Sequence, residues 1–256
     1  MSTTEWPKLH QRGNAHWYEL QDGRTLPSVT TMLTVVAKPA LMYWAANVER
    51  ESCIKAAADL WEGAPHSPPM SRASYVATLT QRLGKEKAHT KKLQAAGDIG
   101  SQVHALAEWN LRRELGEVQG PEPQISREAA VAFSKYETWR ATVDLTPLKL
   151  EQTVWSDAHG YAGTLDLYAR VGELACVGDW KTGKAIYPEA RLQIAAYREA
   201  LIELGHATRD TYGLIVRLPK AHEDPDPEAM LITPAECDEL FKVFLHVKAL
   251  WEWANP

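Results

Sequence analysis

Two runs of alternating side chains flank Gly172, and a helical stretch follows them. This strand-turn-strand-helix order constrains the chain more than any other feature. Tyr161 to Arg170 reads as a strand with Thr164, Asp166 and Tyr168 on one face and Leu165 and Leu167 on the other. Leu174 to Lys181 reads as a second strand, with Ala175, Val177, Asp179 and Lys181 on one face. With Gly172 as the turn, the strands pair antiparallel and Asp166 is carried towards Asp179. Two carboxylates side by side on apolar strands repel, and burying them is costly unless positive charge lies between them. A divalent cation meets that need. Two aspartates that leave several waters in place suit Mg²⁺ or Mn²⁺, hard ions that prefer oxygen ligands. Lys181 would then stand beside the ion, placed to orient a water and to stabilise charge on a phosphoryl oxygen. The chemistry expected is phosphodiester hydrolysis.

An Asp-x-Lys triplet alone is weak, because charged residues are common enough for it to arise about once by chance in a chain of this length. The weight rests on an ordered set: Gly163 and Asp166 in GTLD, Asp179 and Lys181 in DWK, then Gln193 and Tyr197 in QIAAY. Gln193 and Tyr197 lie one turn apart on one face of a helix expected from Pro188 to Leu204, which has an apolar stripe of Leu192, Ala195, Ala196 and Leu201. Upstream, Lys85 to Leu115 reads as helical and carries His104 in GSQVHALAE. Gly100, Ser101 and Ala105 would let that helix approach the sheet closely, although His104 with Glu108 also has the spacing of an ordinary surface pair. Glu151 lies on a strand from Leu148 to Trp155, where it alternates with Lys149 and Thr153 opposite Leu148, Leu150 and Val154. A solvated strand face accounts for it equally well; its place before Gly-x-x-Asp favours a role at the site.

With these residues in order, the segment from Gly100 to Glu203 resembles the PD-(D/E)XK nuclease superfamily, in particular its RecB-like and Cas4-like exonuclease branch. The N-terminal stretches LPSVTTML and KPALMYWA are similar to phage-type members and to mitochondrial genome maintenance exonucleases. The proline that names the superfamily is replaced by Leu165. The resemblance implies an α/β fold: a restriction-endonuclease-like mixed sheet flanked by helices, with an N-terminal helical cap. It implies that His104, Asp166, Asp179 and the backbone carbonyl of Trp180 are metal ligands, with Glu151 as a further or second-metal acid. Lys181 would be the catalytic lysine, and Gln193 and Tyr197 would line the site. The activity implied is an exonuclease hydrolysing DNA from its ends in recombination, repair or replication. The alternatives are a flap or junction endonuclease on the same core, or a catalytically idle DNA-binding recombination partner. Relatives with an iron-sulfur cluster use four cysteines; here Cys53, Cys176 and Cys237 stand apart, so no cluster is expected.

The chain of 256 residues is 45% hydrophobic, enough for one large domain or a core with a helical extension. We expect an N-terminal hairpin and cap region over 1–95 and a nuclease core over 96–256, together one compact unit. No run has the apolar length of a membrane span, and Glu5, Trp6 and Lys8 stand where a secretory signal would be apolar. With scattered cysteines, this points to the cytoplasm of a bacterium or a phage-infected cell. A net charge of −5 is unusual for a DNA enzyme. Positive charge is concentrated locally at Lys85, Lys87, Lys91 and Lys92, which we expect to track the DNA backbone. Ten tryptophans are many; most suit packing, and a minority could stack on unpaired bases. DNA is the expected partner, with a recombinase or single-strand-binding protein as a second candidate. Other elements expected are a hairpin over Gly13 to Thr30, helices over Pro39 to Trp61 and Ser126 to Val143, and a proline-rich loop over Gly63 to Pro69. A strand over Thr211 to Leu218, another near Met230 and a helix from Pro234 to Trp253 complete the set.

Overall fold

The structure is a computed structural model that describes residues 6–13, 15–36, 38–62, 70–117, 120–224 and 226–256. The loop expected at Gly63 to Pro69 lies outside them. Among the described residues the N-terminal elements are β1 (Lys8–Arg12), β2 (Ala15–Glu19), β3 (Thr25–Pro27) and α1 (Val29–Met32). Helices α2 (Pro39–Glu62), α3 (Arg72–Leu83), α4 (Ala88–Glu114) and α5 (Arg127–Arg140) follow. Then come β4 (Leu145–Ser156), β5 (Tyr161–Val171), β6 (Leu174–Lys181), α6 (Pro188–Glu203), β7 (Tyr212–Arg217), β8 (Glu228–Ile232) and α7 (Pro234–Ala254). The hairpin expected near the N-terminus is part of a three-stranded sheet, because the polar run Lys8–Arg12 adds β1 to it. None of the helices described is long and apolar enough to cross a membrane.

The chain forms two compact units, one joining residues up to Val36 with Ile99–Pro256 and the other running from 37 to Asp98. In the smaller unit, Glu49 accepts the backbone N–H of His89 at 3.0 Å, so a carboxylate satisfies an orphan donor at the start of α4. Lys85, Lys87, Lys91 and Lys92 are all exposed there.

The larger unit is built on a five-stranded mixed sheet in the order β4-β5-β6-β7-β8. Its pairs are antiparallel except β6 with β7, which run parallel because α6 makes the crossover between them. Pro188 and Pro234 open α6 and α7 at positions where a missing N–H costs nothing, and Thr233 with Glu236 closes a capping box on α7. One face of the sheet buries Val177, Ile215 and Ile232 against Ile194, Leu201 and Phe244 of α6 and α7. The other buries Cys176, Leu214 and Val216 with Val103, Leu111, Phe133 and Trp139 of α4 and α5. Trp180 belongs to this second core, edge-on to Tyr136 and Trp139 with ring centroids 5.3 and 5.5 Å away.

Strict alternation fails at a bulge between Pro147 and Lys149 on β4 and again, further along, at the place that matters. Leu165 lies in the first core and Leu167 in the second, so the two do not share a face as the period of two requires. On β4 the same change of phase separates Leu150 from Val154. Between them sits Glu151 with φ of 47°, a left-handed conformation rare for any residue with a side chain. The pairs Leu150↔Leu167 and Gln152↔Leu165 put Glu151 opposite Asp166, so both strands change phase at the two acids.

Candidate metal centre

Helix α6 approaches the sheet through two glycines. A Cβ on Gly163 would lie 2.3 Å from the Tyr197 ring, and one on Gly213 would lie 2.4 Å from Ile194. The glycine of GTLD is therefore the space that Tyr197 occupies. On the opposite face, Gly100 of α4 meets Thr182 closely, with a Cβ there reaching 3.2 Å from its hydroxyl. Ser101 and Ala105, expected to ease this approach, are exposed; Ala107 is the small residue buried beside Leu106.

These approaches deliver side chains from β4, β5, β6, α4 and α6 to one point. His104, Glu151 and Asp166 each offer a ligand atom, all within 4.8 Å of one another. His104 Nδ1 lies 3.3 Å from Asp166, and its Nε2 lies 2.9 Å from the Trp180 carbonyl oxygen. The carbonyl accepts and Asp166 is an anion, so both ring nitrogens face groups that favour a proton. Burial opposes that charge, but Asp166 and then Asp179 outweigh it and push His104 up to about 9.

The β5–β6 ladder ends at Leu167↔Gly178, one residue short of pairing Asp166 with Asp179. Freed from that ladder, the Trp180 N–H donates to Asp166 at 2.9 Å. Burial raises Asp166, yet His104, Lys181 and this N–H together hold it below the usual carboxylate value. Asp179 is 1% exposed, and burial pushes it up to about 6 against the pull of Lys181. It stands beside the triplet of ligands rather than within it. Its Oδ2 meets Lys181 Nζ at 2.6 Å, but the angle is not that of a hydrogen bond, so this buried oxygen has no aligned donor. We take the contact as an ion pair that leaves lone pairs open to a cation.

Gln193 ties the rest together. Its Oε1 accepts from Lys181 at 3.1 Å, while its Nε2 donates to Asp179 at 3.2 Å and to the Tyr197 hydroxyl at 3.2 Å. Lys181 stays charged despite burial, because Asp179 and Asp166 raise it. Glu151 is half-buried; burial first, then Asp166 and Glu108, pushes it up to about 7. Its left-handed backbone costs on the order of 1–3 kcal/mol and persists only where the surroundings fix it. Arg112 of α4 supplies one restraint, donating to the Leu150 carbonyl at 3.3 Å.

All the expected site residues of the larger unit converge: His104, Glu151, Asp166, Asp179, Trp180, Lys181, Gln193 and Tyr197. The expected DNA-contacting lysines 85, 87, 91 and 92 belong to the smaller unit. Sequence reasoning missed Tyr18 of β2, whose hydroxyl meets Thr164 at 2.9 Å, with Thr153 3.4 Å beyond. Nothing local in AHWYE marks that residue; its place depends on the N-terminal sheet packing over Ala162, where Ser28 forms a parallel bridge.

The donor set suits a hard divalent ion: carboxylate oxygens, one imidazole and a carbonyl, with buried lone pairs unsatisfied. Among known proteins, no family model matches the chain and no curated protein matches it.

Proposed function

We propose that this chain is a Mg²⁺- or Mn²⁺-dependent deoxyribonuclease of the PD-(D/E)XK kind on a restriction-endonuclease-like core, hydrolysing DNA from its ends. The observation that carries the reading is the convergence of His104, Glu151 and Asp166 within 4.8 Å, beside the buried Asp179–Lys181 pair. His104, Glu151, Asp166 and Asp179, with the Trp180 carbonyl, would hold the ion. When bound, it supplies a Lewis acid for a phosphoryl oxygen and a water of lowered pKa.

The chain's own groups do the remainder. Lys181 presents a fixed positive charge where negative charge gathers on the phosphoryl group. Gln193 holds that ammonium against Asp179, and Tyr197, wedged against Gly163, fixes the amide. His104 gives up a proton when it becomes a ligand, because its protonated ring cannot coordinate.

The test is degradation of end-labelled linear DNA, single- and double-stranded, with Mg²⁺, Mn²⁺ or EDTA. Wild type should release labelled nucleotides only with metal, and Asp179→Ala and Lys181→Ala should not. Cleavage of circular single-stranded DNA would make the activity endonucleolytic. No cleavage of any substrate, with DNA binding intact, would leave a binding protein in place of a nuclease.

A further inference from the structure

A cleft of about 930 Å³ opens beside the metal centre, and Glu151 is common to both. One wall is β4 at Glu151 and Gln152, with Arg112 of α4; the other is the N-terminal stretch with Trp6, Lys8 and His10. We propose that this cleft seats the unpaired nucleotides of a single-stranded DNA end next to the bond being cut. The proposal rests on the nuclease reading.

The wall chemistry argues for a nucleic acid strand. Single strands are gripped by flat rings that stack on bases and by cations that meet phosphates. Trp6 and His10 supply the rings, and Lys8 and Arg112 the cations. The cations differ in availability. Arg112 is committed to Glu108 at 2.7 Å and Glu117 at 2.8 Å, and His10 lies 2.9 Å from Glu19. Lys8 instead places its ammonium over the Trp6 ring, 4.3 Å from the centroid. That is a weak attachment for a charge next to solvent. An incoming nucleotide exchanges both halves of it at once: a base takes the indole face, and a phosphate takes the ammonium.

Size and continuity select one strand. The volume falls at the upper end of small-ligand pockets, about 300–1,000 Å³, which suits a mono- or dinucleotide rather than a duplex. Beyond Trp6 and Pro7, a second hollow of about 300 Å³ holds Trp155, another ring, with Arg24 committed there to Asp22 at 2.7 Å and Asp157 at 2.9 Å. The two hollows share Trp6 and Pro7 as a wall and both draw on β4, so a strand leaving the first meets the second.

The test uses the full chain. Binding of a fluorescent oligothymidylate is measured in EDTA, and KM for its hydrolysis in Mn²⁺, for wild type, Trp6→Ala, Trp6→Phe and Lys8→Glu. An iodouracil-substituted oligonucleotide is photo-cross-linked and the attached peptide identified. Trp6→Ala should weaken single-strand binding about tenfold and raise KM by a similar factor, the scale of one lost stack. Trp6→Phe should retain most of the affinity, which separates stacking from misfolding. The cross-link should fall on the segment containing Trp6. Unchanged binding and KM in Trp6→Ala and Lys8→Glu, or a cross-link elsewhere, would overturn the cleft assignment. The two readings fail separately. If wild type cleaves and Asp179→Ala does not, an unchanged KM in Trp6→Ala removes the cleft alone. If wild type never cleaves, a Trp6-dependent cross-link keeps the cleft and removes the nuclease.

Discussion

Two of the buried charge clusters in the larger unit are treated in opposite ways. On α6, Arg198 is 1% exposed, and each branch of its guanidinium has an acceptor. Nε donates to the Thr211 carbonyl at 2.6 Å, Nη1 to Asp238 at 2.7 Å and Nη2 to the Arg209 carbonyl. Arg209 in turn clasps Glu199 through two donors. This cluster binds α6 to the loop before β7 and to α7, and every nitrogen of the guanidinium is held by an acceptor. The acids around Lys181 lie on the same sheet and are not satisfied in this way. Burial lifts Asp179 and Glu151, and Asp179 Oδ2 lacks an aligned donor. A saturated cluster is a clamp; one held short of saturation has capacity for something more.

Removing one member of each cluster tests that contrast most severely. Asp179→Asn should cut metal-dependent cleavage by roughly a thousandfold or more, the scale of losing a group that organises transition-state charge. It should cost the metal-free protein little stability, because losing the partner of Lys181 is offset by removing a carboxylate that burial disfavours. Arg198→Met should do the reverse, lowering stability by about 3 kcal/mol, since it strands buried carbonyls and breaks an ion pair. Urea unfolding in EDTA checks both. If Asp179→Asn destabilises as much as Arg198→Met, the two clusters are equally structural and the contrast is lost.

Much of this arrangement was legible from spacing because its chemistry is carried by local order. Asp179 and Lys181 share a face of β6 as the period of two requires, and Gln193 and Tyr197 share a face of α6 as the helical period requires. Asp166 reaches the site for a different reason from the one the sequence suggests. Extended pairing would have set it against Asp179, whereas the ladder stops first and Trp180 N–H takes its carboxylate. Glu151 was ambiguous because alternation assumes an extended backbone, and its φ of 47° is set by tertiary restraints with no signal in LKLEQTVW. Tyr18 and the cleft by Trp6 depend on contacts between segments more than a hundred residues apart, which no local pattern encodes.

The unused capacity of the acids can be titrated directly. If the acids around Lys181 are held apart for a cation, Mn²⁺ should stabilise wild type against unfolding by about 2.7 kcal/mol at a hundred times its dissociation constant. Asp166→Asn should lose most of that gain, while Arg198→Met, although less stable overall, should retain it. Thermal melts across a Mn²⁺ titration give the comparison directly. Equal stabilisation of wild type and Asp166→Asn would place the ion somewhere else.

The pH dependence of stability is the most diagnostic in sign. His104 is raised from 6.5 to about 9 in the folded protein. A raised value means that folding favours the protonated ring, so its contribution is complete below about pH 6.5 and is lost as pH climbs through 9. Glu151, raised from 4.5 to about 7, and Asp179, raised from 3.8 to about 6, act in the same direction at lower pH. Asp166 has the opposite sign, but its contribution is already complete above its ordinary value of 3.8 and is flat across this range. The metal-free protein should therefore lose on the order of 4 kcal/mol between pH 6 and 9, and His104→Gln should flatten the upper half of that decline. Bound Mn²⁺ should reverse the slope, because the protons that stabilise the empty cluster compete with the ion for the same lone pairs. Melting curves in EDTA and in excess Mn²⁺ at matched pH read this out. A metal-free curve that rises towards pH 9 would mean that His104 is neutral among the acids, and that something other than its proton balances them.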